Sequence, residues 1–318
     1  SLIWQPLDSL LTDVNTVYCS PSGLLHRVNL GAVSLRSDQT FADRYHLVRL
    51  GSTRQLVVNS GNSSSVSSAT LFGGIQYDSK IAAAAQDPNS EEDMRGATAT
   101  TLPFPYDTTL RGGGDNSPWR PLPATEAEVR NIASMLQKQG FKTDLQTGPA
   151  ATEEAFKQLG KNELSPRILH LATHGYFFPD RKSTVDDRRR LSEGNEPVFK
   201  ISDHPMIRAG LILAGANPTW TTGKPPAQGE DGILTAYEIS QMNLSNTELV
   251  VLSACETGLG DLVGNEGVYG LQRAFKIAGA KYLIMSLWQV SDRMTGELMT
   301  DFYRQYLEEK KPVPDAFR

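Results

Sequence analysis

The clearest hydrophobic pattern in the chain lies in the segment ATEAEVRNIASMLQKQG. Its apolar residues Val129, Ile132 and Leu136 recur every three or four positions, which is the spacing of one helix face. A Thr-x-x-Glu sequence at 125–128 is typical of a capping box at the start of a helix, and Gly140 is typical of a helix end. The pattern therefore predicts a helix between these two signals.

Short, continuous apolar runs alternate with further segments of this helical type. We interpret the runs as strands within SATLFGGIQYD, FKTDLQTG, RILHLATHG, TELVVLSACETG and KYLIMSLWQV. The other predicted helices are ATEEAFKQLGK, GILTAYEISQMNL, GVYGLQRAFKIAGA and RMTGELMTDFYRQYLEEK. Strands that alternate with helices imply right-handed crossovers and a mostly parallel sheet flanked by helices on both faces, so the predicted fold class is α/β.

The remaining segments lack such patterns. In the first third, TVYCSPSGLLHRVNL predicts two extended runs around a turn. Residues 80–117 are rich in Gly, Ser, Thr, Asp and Asn, which is typical of a linker or mobile loop. Residues 177–228 are predicted to be mostly loop, interrupted by the apolar stretch AGLILAGA.

The composition narrows the class of protein. With a net charge of -5, direct contact with nucleic acid is not expected, because domains that bind it usually carry a basic face. No stretch approaches the roughly 18–20 apolar residues of a membrane span, and the start lacks signal-peptide features, which favours a cytoplasmic protein without membrane contact. Cys19 and Cys255 form no CxxC pair, in keeping with a reducing compartment. The missing initiator Met suggests a piece of a longer protein.

Two of the predicted strands end in chemically reactive residues. One ends at His174-Gly175 and another at Cys255, 81 positions later. Because functional groups gather at the carboxyl ends of parallel strands, the imidazole and the thiol are candidates for a base and a nucleophile in one site. Gly175 has no Cβ, so its N–H and that of Cys255 are candidates for an oxyanion hole.

Other interpretations of these residues remain open. From its position alone, Cys255 is also compatible with a buried structural thiol. His170 and His174 form a His-x-x-x-His sequence, but in a strand they would lie about 13 Å apart, so no metal site is predicted and His170 is interpreted as a hydrogen-bonded core histidine. The loop GLGDLVG partly imitates a dinucleotide loop, but Asp261 and Glu266 crowd it with negative charge and a gap of ten residues precedes the next helix, so no cofactor is predicted.

The motifs quoted above resemble a known family. His-Gly after one apolar strand and Ala-Cys after a later one are similar to the signature of the caspase, legumain, gingipain and separase group of cysteine peptidases. More narrowly, LHLATHGYF, VVLSACETGLGD, NEGVYGLQRAFKIAGAKYLIMSLWQVSD and LMTDFY resemble the CHAT domain, a caspase-like domain usually found in bacteria behind tetratricopeptide repeats. The resemblance implies a catalytic caspase-like half at 116–318 with His174 and Cys255 as the dyad. It also implies a caspase-like front half and linker at 1–115 that lack the dyad.

The resemblance also implies a place for the substrate. The separases hold an arginine of the substrate with an acid in this region, so Asp292, Glu266 and Asp261 are candidates for a pocket that prefers a basic residue. The alternative is that all three are ordinary solvated carboxylates. Trp288 and Gln289 are candidates for the pocket wall, although Trp288 also fits a core position.

A preference for basic residues raises the possibility of self-cleavage. Arg188, Arg189 and Arg190 lie between the two catalytic strands and have no apolar anchor, so they form a candidate cleavage loop; the alternative is an exposed charged loop. Two functions follow from the sequence. The first is a cysteine endopeptidase that cuts a protein substrate and is regulated by upstream repeats or a partner. The second is a latent or non-catalytic interaction module.

Overall fold

The chain forms two compact units. A computed structural model describes residues 5–20, 25, 30–36, 38–50, 67–78, 117–178, 202, 204–253, 266–286 and 292–317. The units are Ser1–Asn62 and Ser63–Arg318. This division differs from the predicted boundary between residues 115 and 116, because the strand at 68–75 pairs within the sheet of the second unit.

Within its described residues, the first unit contains two small sheets. Its strands are β1 (Thr16–Cys19), β2 (Ser34–Arg36), β3 (Gln39–Thr40) and β4 (His46–Arg49), with the short helix α1 (Phe41–Arg44). β1 and β4 pair in parallel, whereas β2 and β3 are antiparallel. The buried side chains of Leu30, Phe41 and Tyr45 form its core. The first of the two predicted extended runs is thus β1, and part of the second lies outside the described residues.

The second unit alternates strands and helices along the chain. Its strands are β5 (Ser68–Ile75), β6 (Lys142–Gly148), β7 (Ile168–Leu171), β8 (Gly175–Phe177), β9 (Ala209–Ile212), β10 (Ile233–Thr235), β11 (Leu249–Leu252) and β12 (Tyr282–Met285). Its helices are α2 (Pro123–Lys138), α3 (Glu153–Lys157), α4 (Asn217–Thr222), α5 (Ala236–Ser240), α6 (Glu266–Ala278), α7 (Asp292–Leu307) and α8 (Val313–Ala316).

A five-stranded parallel sheet forms the centre of this unit. Its strand order is β12-β11-β7-β5-β6, and every neighbouring pair is parallel. Both faces are covered: Leu171 of β7 packs in a core with α6, and Ile168 of the same strand packs in a core with α2 and α7. Burial on both faces explains why β7 and β11 consist of continuous apolar runs. The predicted α/β class, with a parallel sheet flanked by helices, is confirmed.

A second, antiparallel sheet was not predicted. Its strand order is β10-β9-β8. The strand β8 follows β7 directly in the chain, so the chain passes from the parallel sheet to the antiparallel one at this point. The predicted strand through His174-Gly175 is therefore too long, since β7 ends at Leu171 and Gly175 begins β8. The break lies at Thr173, whose hydroxyl donates to the Ile212 carbonyl of β9.

The apolar stretch AGLILAGA, which interrupts the predicted loop region, was assigned no element from the sequence. It forms β9, which is completely buried, and α4 follows it. Short strands and helices of this kind are fixed by tertiary pairing and burial rather than by a long periodic pattern.

The start of α2 differs from the predicted capping box. The helix begins at Pro123, because proline at the first position has no N–H to leave unpaired. The Thr125 hydroxyl instead donates to the Leu122 carbonyl and accepts the N–H of Gly74 in β5. The predicted end is confirmed, since Gly140 adopts the left-handed conformation with φ of 80° directly after the helix. Within the described ranges, no helix combines the length and apolar character needed to cross a bilayer.

Candidate active site

The predicted site residues divide into those that the structure describes and those that it does not. His174 and Gly175 are described, and Glu266 and Asp292 are the first residues of α6 and α7. The other candidates lie outside the described residues: Cys255, Asp261, Trp288, Gln289, Arg188, Arg189 and Arg190. The described geometry of the site is therefore that of His174 and its neighbours.

His174 is enclosed by aromatic rings at the carboxyl edge of the parallel sheet. It follows the end of β7 by three residues and is only 2% exposed. Its ring centroid lies 4.8 Å from that of Trp119 and 5.1 Å from that of Tyr77. Apolar walls of this kind exclude water and restrict the imidazole to few orientations.

One nitrogen of this imidazole is held by the main chain. His174 Nε2 lies 2.7 Å from the Arg120 carbonyl oxygen. Because a carbonyl only accepts hydrogen bonds, Nε2 carries the proton and Nδ1 is the basic nitrogen of the neutral ring. Sequence reasoning did not find this contact, since the acceptor is a main-chain atom and no side-chain pattern signals it.

The N–H of Gly175 is directed away from the strand that pairs with β8. His174 and Ile212 form a hydrogen-bonded antiparallel pair, with a distance of 2.9 Å from Ile212 N to His174 O. The next pair, Gly175 with Leu211, is then a non-hydrogen-bonded pair, because the two kinds alternate along an antiparallel ladder. The Gly175 N–H consequently points to the outer side of β8.

The strand that leads to Cys255 is the direct neighbour of the strand that leads to His174. β11 pairs with β7 in parallel, with Leu252 opposite Leu171, and Ser253 N donates to the Leu171 carbonyl at 2.9 Å. His174 and Cys255 each follow one of these paired leucines by three positions in the sequence. The strands that lead to the two candidates thus end side by side at one edge. Cys255 itself lies outside the described residues, so its place in one site with His174 stays a prediction.

His170 occupies a separate, completely buried network, as predicted for a core histidine. Its Nε2 lies 3.1 Å from Glu128 Oε1 in α2, and its Nδ1 lies 3.2 Å from the Tyr303 hydroxyl in α7. Burial, with a smaller contribution from the Glu128 carboxylate, raises the pKa of Tyr303 well above its usual value. The network connects α2 and α7 to β7 on the face of the sheet that these two helices cover.

A group of carboxylates near α3 resembles a metal site but already holds a cation. Oxygens of Glu153, Glu230 and Glu238 lie within 4.8 Å of one another. Lys157 Nζ contacts all three, at 2.6, 3.0 and 2.6 Å. Burial raises the pKa of Glu153 to about 8, although the hydrogen bond from Lys157 acts to lower this pKa. The ammonium group takes the position that a metal ion would need.

A groove lies elsewhere on the unit. It has a volume of about 640 Å³ between α2 and α7, and its lining includes Glu128 and Gly296. Neither His174 nor Gly175 lines it. The groove is therefore distinct from the candidate site.

Comparison with known proteins shows similarity to one family and to a curated relative. A family model for the CHAT domain matches residues 1–318. Tetratricopeptide repeat protein 28 of Mus musculus is 26% identical over an alignment of 206 residues, and the match covers 59% of this chain and 7% of that protein. The chain thus spans only a small part of this relative.

Proposed function

The chain belongs to the CHAT domain family, and on that premise we propose that it is a cysteine endopeptidase in which His174 and Cys255 cleave a specific protein substrate. The observation that carries the proposal is the state of His174. The imidazole is buried among aromatic rings and Nε2 is committed to the Arg120 carbonyl, so Nδ1 is the nitrogen that exchanges protons. A general base needs this fixed tautomer.

The proposed reaction has two steps. Nδ1 of His174 takes the proton of the Cys255 thiol, the sulfur attacks the substrate carbonyl, and the resulting oxyanion accepts hydrogen bonds from the N–H groups of Gly175 and Cys255. The C–N bond then breaks as His174 donates its proton to the leaving amine, which leaves a thioester. His174 next takes a proton from water, whose oxygen attacks the thioester, and the acid product leaves as the thiol is restored.

The direction of the Gly175 N–H supports its part in this reaction. An N–H used in the β8–β9 ladder would have no capacity for a substrate oxygen, whereas this N–H points to the outer side of β8. The equal spacing of His174 and Cys255 beyond the paired residues Leu171 and Leu252 supports the dyad in the same way.

A direct experiment tests the endopeptidase. Proteome-wide labelling of new N-termini, with the active chain compared to Cys255→Ala, is expected to reveal a small set of cleavage sites that depend on the cysteine. The matched variant His174→Ala is expected to lose the same sites. Identical N-termini in all three samples would contradict the proposal.

The specificity pocket is a second part of the proposal. Asp292, Glu266 and Asp261 are proposed to hold a basic residue before the scissile bond, with Trp288 and Gln289 beside it; a bidentate contact between a carboxylate and a guanidinium suits this role. A peptide library is expected to favour Arg or Lys at that position. A profile that favours Asp or Leu at that position, with no gain for Arg or Lys, would contradict the proposed pocket for a basic residue.

Self-cleavage at Arg188, Arg189 or Arg190 follows from the same preference. The purified chain is expected to lose its intact mass on incubation, while Cys255→Ala keeps it. Intact masses that stay identical would show that the segment is not a cleavage site.

The match to a tetratricopeptide repeat protein favours a second candidate function. In this alternative, the domain serves as a latent or non-catalytic module whose reactive groups align only when repeats or another partner bind. The rate and pH dependence of alkylation at Cys255 separate the two candidates. A fast reaction that persists below the usual thiol pKa supports the peptidase, and a slow reaction with an ordinary pKa supports the latent module.

A further inference from the structure

We propose that Asn217 is a positioning residue for His174, and that it acts by fixing the main chain that carries the Arg120 carbonyl. This inference rests on the proposed function, since it assigns a role in the dyad to a residue outside it. Asn217 does not touch the imidazole among the contacts described. Its effect passes through Trp119 and Arg120.

The side chain of Asn217 binds both main-chain polar groups of one residue. Trp119 N donates to Asn217 Oδ1 at 2.7 Å, and Asn217 Nδ2 donates to the Trp119 carbonyl at 3.1 Å. Asn217 is 4% exposed, and the main chain of Trp119 is buried with it. A single amide thus replaces the partners that a neighbouring strand would provide.

Asp78 fixes the orientation of this amide. Asn217 Nδ2 also donates to Asp78 Oδ1, at 2.8 Å. Because a carboxylate only accepts hydrogen bonds, the nitrogen of the amide faces Asp78 and the oxygen faces the Trp119 N–H. The main-chain N–H of Asn217 donates to the Tyr77 carbonyl at 2.9 Å, so the residue is tied to the end of β5 as well.

The fixed residue is adjacent to the one that binds His174. Arg120 follows Trp119 directly, and its carbonyl accepts the His174 Nε2–H. Pro118 and Pro121 flank this pair of residues, and proline restricts its own φ and the conformation of the residue before it. The short segment is therefore stiff, and a fixed Trp119 gives the Arg120 carbonyl a fixed direction.

Trp119 makes a second link to the imidazole. The centroid of its ring lies 4.8 Å from that of His174 and 4.8 Å from that of Trp220. Trp220 belongs to α4, the helix that Asn217 begins. The helix α4 thus contacts the main chain of Trp119 through Asn217 and the ring of Trp119 through Trp220.

The direct readout of this role is the tautomer of His174. The 318-residue chain contains five histidines, so selective ¹³C and ¹⁵N labelling of histidine resolves them by NMR, and His174→Ala assigns the signal. The wild type is expected to show the Nε2–H form at neutral pH. In Asn217→Ala, we expect a mixture of both tautomers and a shifted pH profile of peptide cleavage. We expect kcat/KM to fall about 10²-fold, mainly through kcat.

A pair of substitutions distinguishes positioning from general support of the fold. Asn217→Asp keeps the acceptor for the Trp119 N–H but places a second carboxylate against Asp78, so the Nε2–H preference is expected to weaken. In the double variant Asn217→Asp with Asp78→Asn, the new amide at position 78 provides a donor to the new carboxylate. We expect this variant to recover part of the preference of His174 for the Nε2–H tautomer. The pair also provides an answer if Asn217→Ala fails to fold.

Asn246→Ala is the matched control. Its Nδ2 donates to the Ser165 carbonyl at 2.6 Å, before the start of β7 and thus at the opposite end of the strand from His174. This variant is expected to lower the melting temperature without changing the tautomer.

The outcomes separate the two proposals. A folded Asn217→Ala that keeps the wild-type tautomer and pH profile, and loses only stability, overturns the positioning role. A wild type that cuts no peptide in a Cys255-dependent manner, but whose His174 tautomer still responds to Asn217, overturns the peptidase and leaves the positioning role in place.

Discussion

The close approach of α2 to β5 leads to a sharp prediction for Gly73→Ala. A Cβ at this position would lie 2.7 Å from the Thr125 carbonyl oxygen, and 2.7 and 2.9 Å from the two methyl groups of Val129. The backbone of Gly73 has no positive φ, so only this contact requires glycine. The substitution therefore tests packing without adding backbone strain.

The size of the effect follows from these distances. To bring the nearest atoms from 2.7 Å to an ordinary contact of 3.4 Å, the start of α2 has to move by about 0.7 Å. Overpacking of this kind costs about 1–3 kcal/mol of unfolding free energy, and each kcal/mol lowers Tm by about 2–4 °C in a unit of this size.

The same displacement reaches the candidate site. Arg120 lies three residues before Pro123, where α2 begins. If the segment follows the helix against the hold of Asn217, the 2.7 Å hydrogen bond from His174 lengthens by at most about 0.7 Å, which would bring it near the limit for such a bond. We expect the Nε2–H preference of His174 to weaken together with the stability.

Calorimetry and the NMR signal of His174 provide the measurement, with Gly296→Ala as the control. A Cβ at Gly296 in α7 meets no atom within 4 Å. Alanine is the better helix former by about 0.5–1 kcal/mol, so the control is expected to be at least as stable as the wild type. A Gly73→Ala variant with the stability of the control would refute the packing argument.

Two further predictions concern buried carboxylates. Glu153 has a pKa raised from 4.5 to about 8, so the folded state binds an extra proton in this window, and wild-type stability is expected to fall as the pH rises through it. In Glu153→Gln, melting curves between pH 5 and 9 should lose this decline; an unchanged slope would contradict the assignment. Glu128→Ala removes the partner of buried His170 and is expected to cost about 1–3 kcal/mol in urea unfolding. The exposed Glu126→Ala in the same helix should change stability by less than about 1 kcal/mol, and equal losses would contradict the argument.

The parallel sheet was predictable because both of its faces are buried. The runs that became β7 and β11 are continuously apolar, and the helices between strands show a clear period, so the α/β class follows from local patterns. The adjacency of β7 and β11 adds support to the prediction that His174 and Cys255 belong to one site.

The contacts around His174 were not predictable for a different physical reason. The Arg120 carbonyl acts through the main chain, which carries no residue-specific signal. Asn217 lies in a segment that was interpreted as loop, and its partners Trp119 and Asp78 are distant in sequence. The pairing of β5 with β7 is equally nonlocal, and for this reason the predicted boundary at 115/116 differs from the division after Asn62.

The distribution of these partners along the chain has a consequence for biosynthesis. Tyr77, Trp119 and Asn217 come from three separate stretches, and the last of them is made 43 residues after His174. A ribosome-bound or truncated chain that ends before Asn217 therefore carries His174 and Trp119 without the side chain that fixes the Trp119 main chain, and it also lacks Cys255. On the proposed function, we expect nascent chains to stay inactive until translation has passed both Asn217 and Cys255.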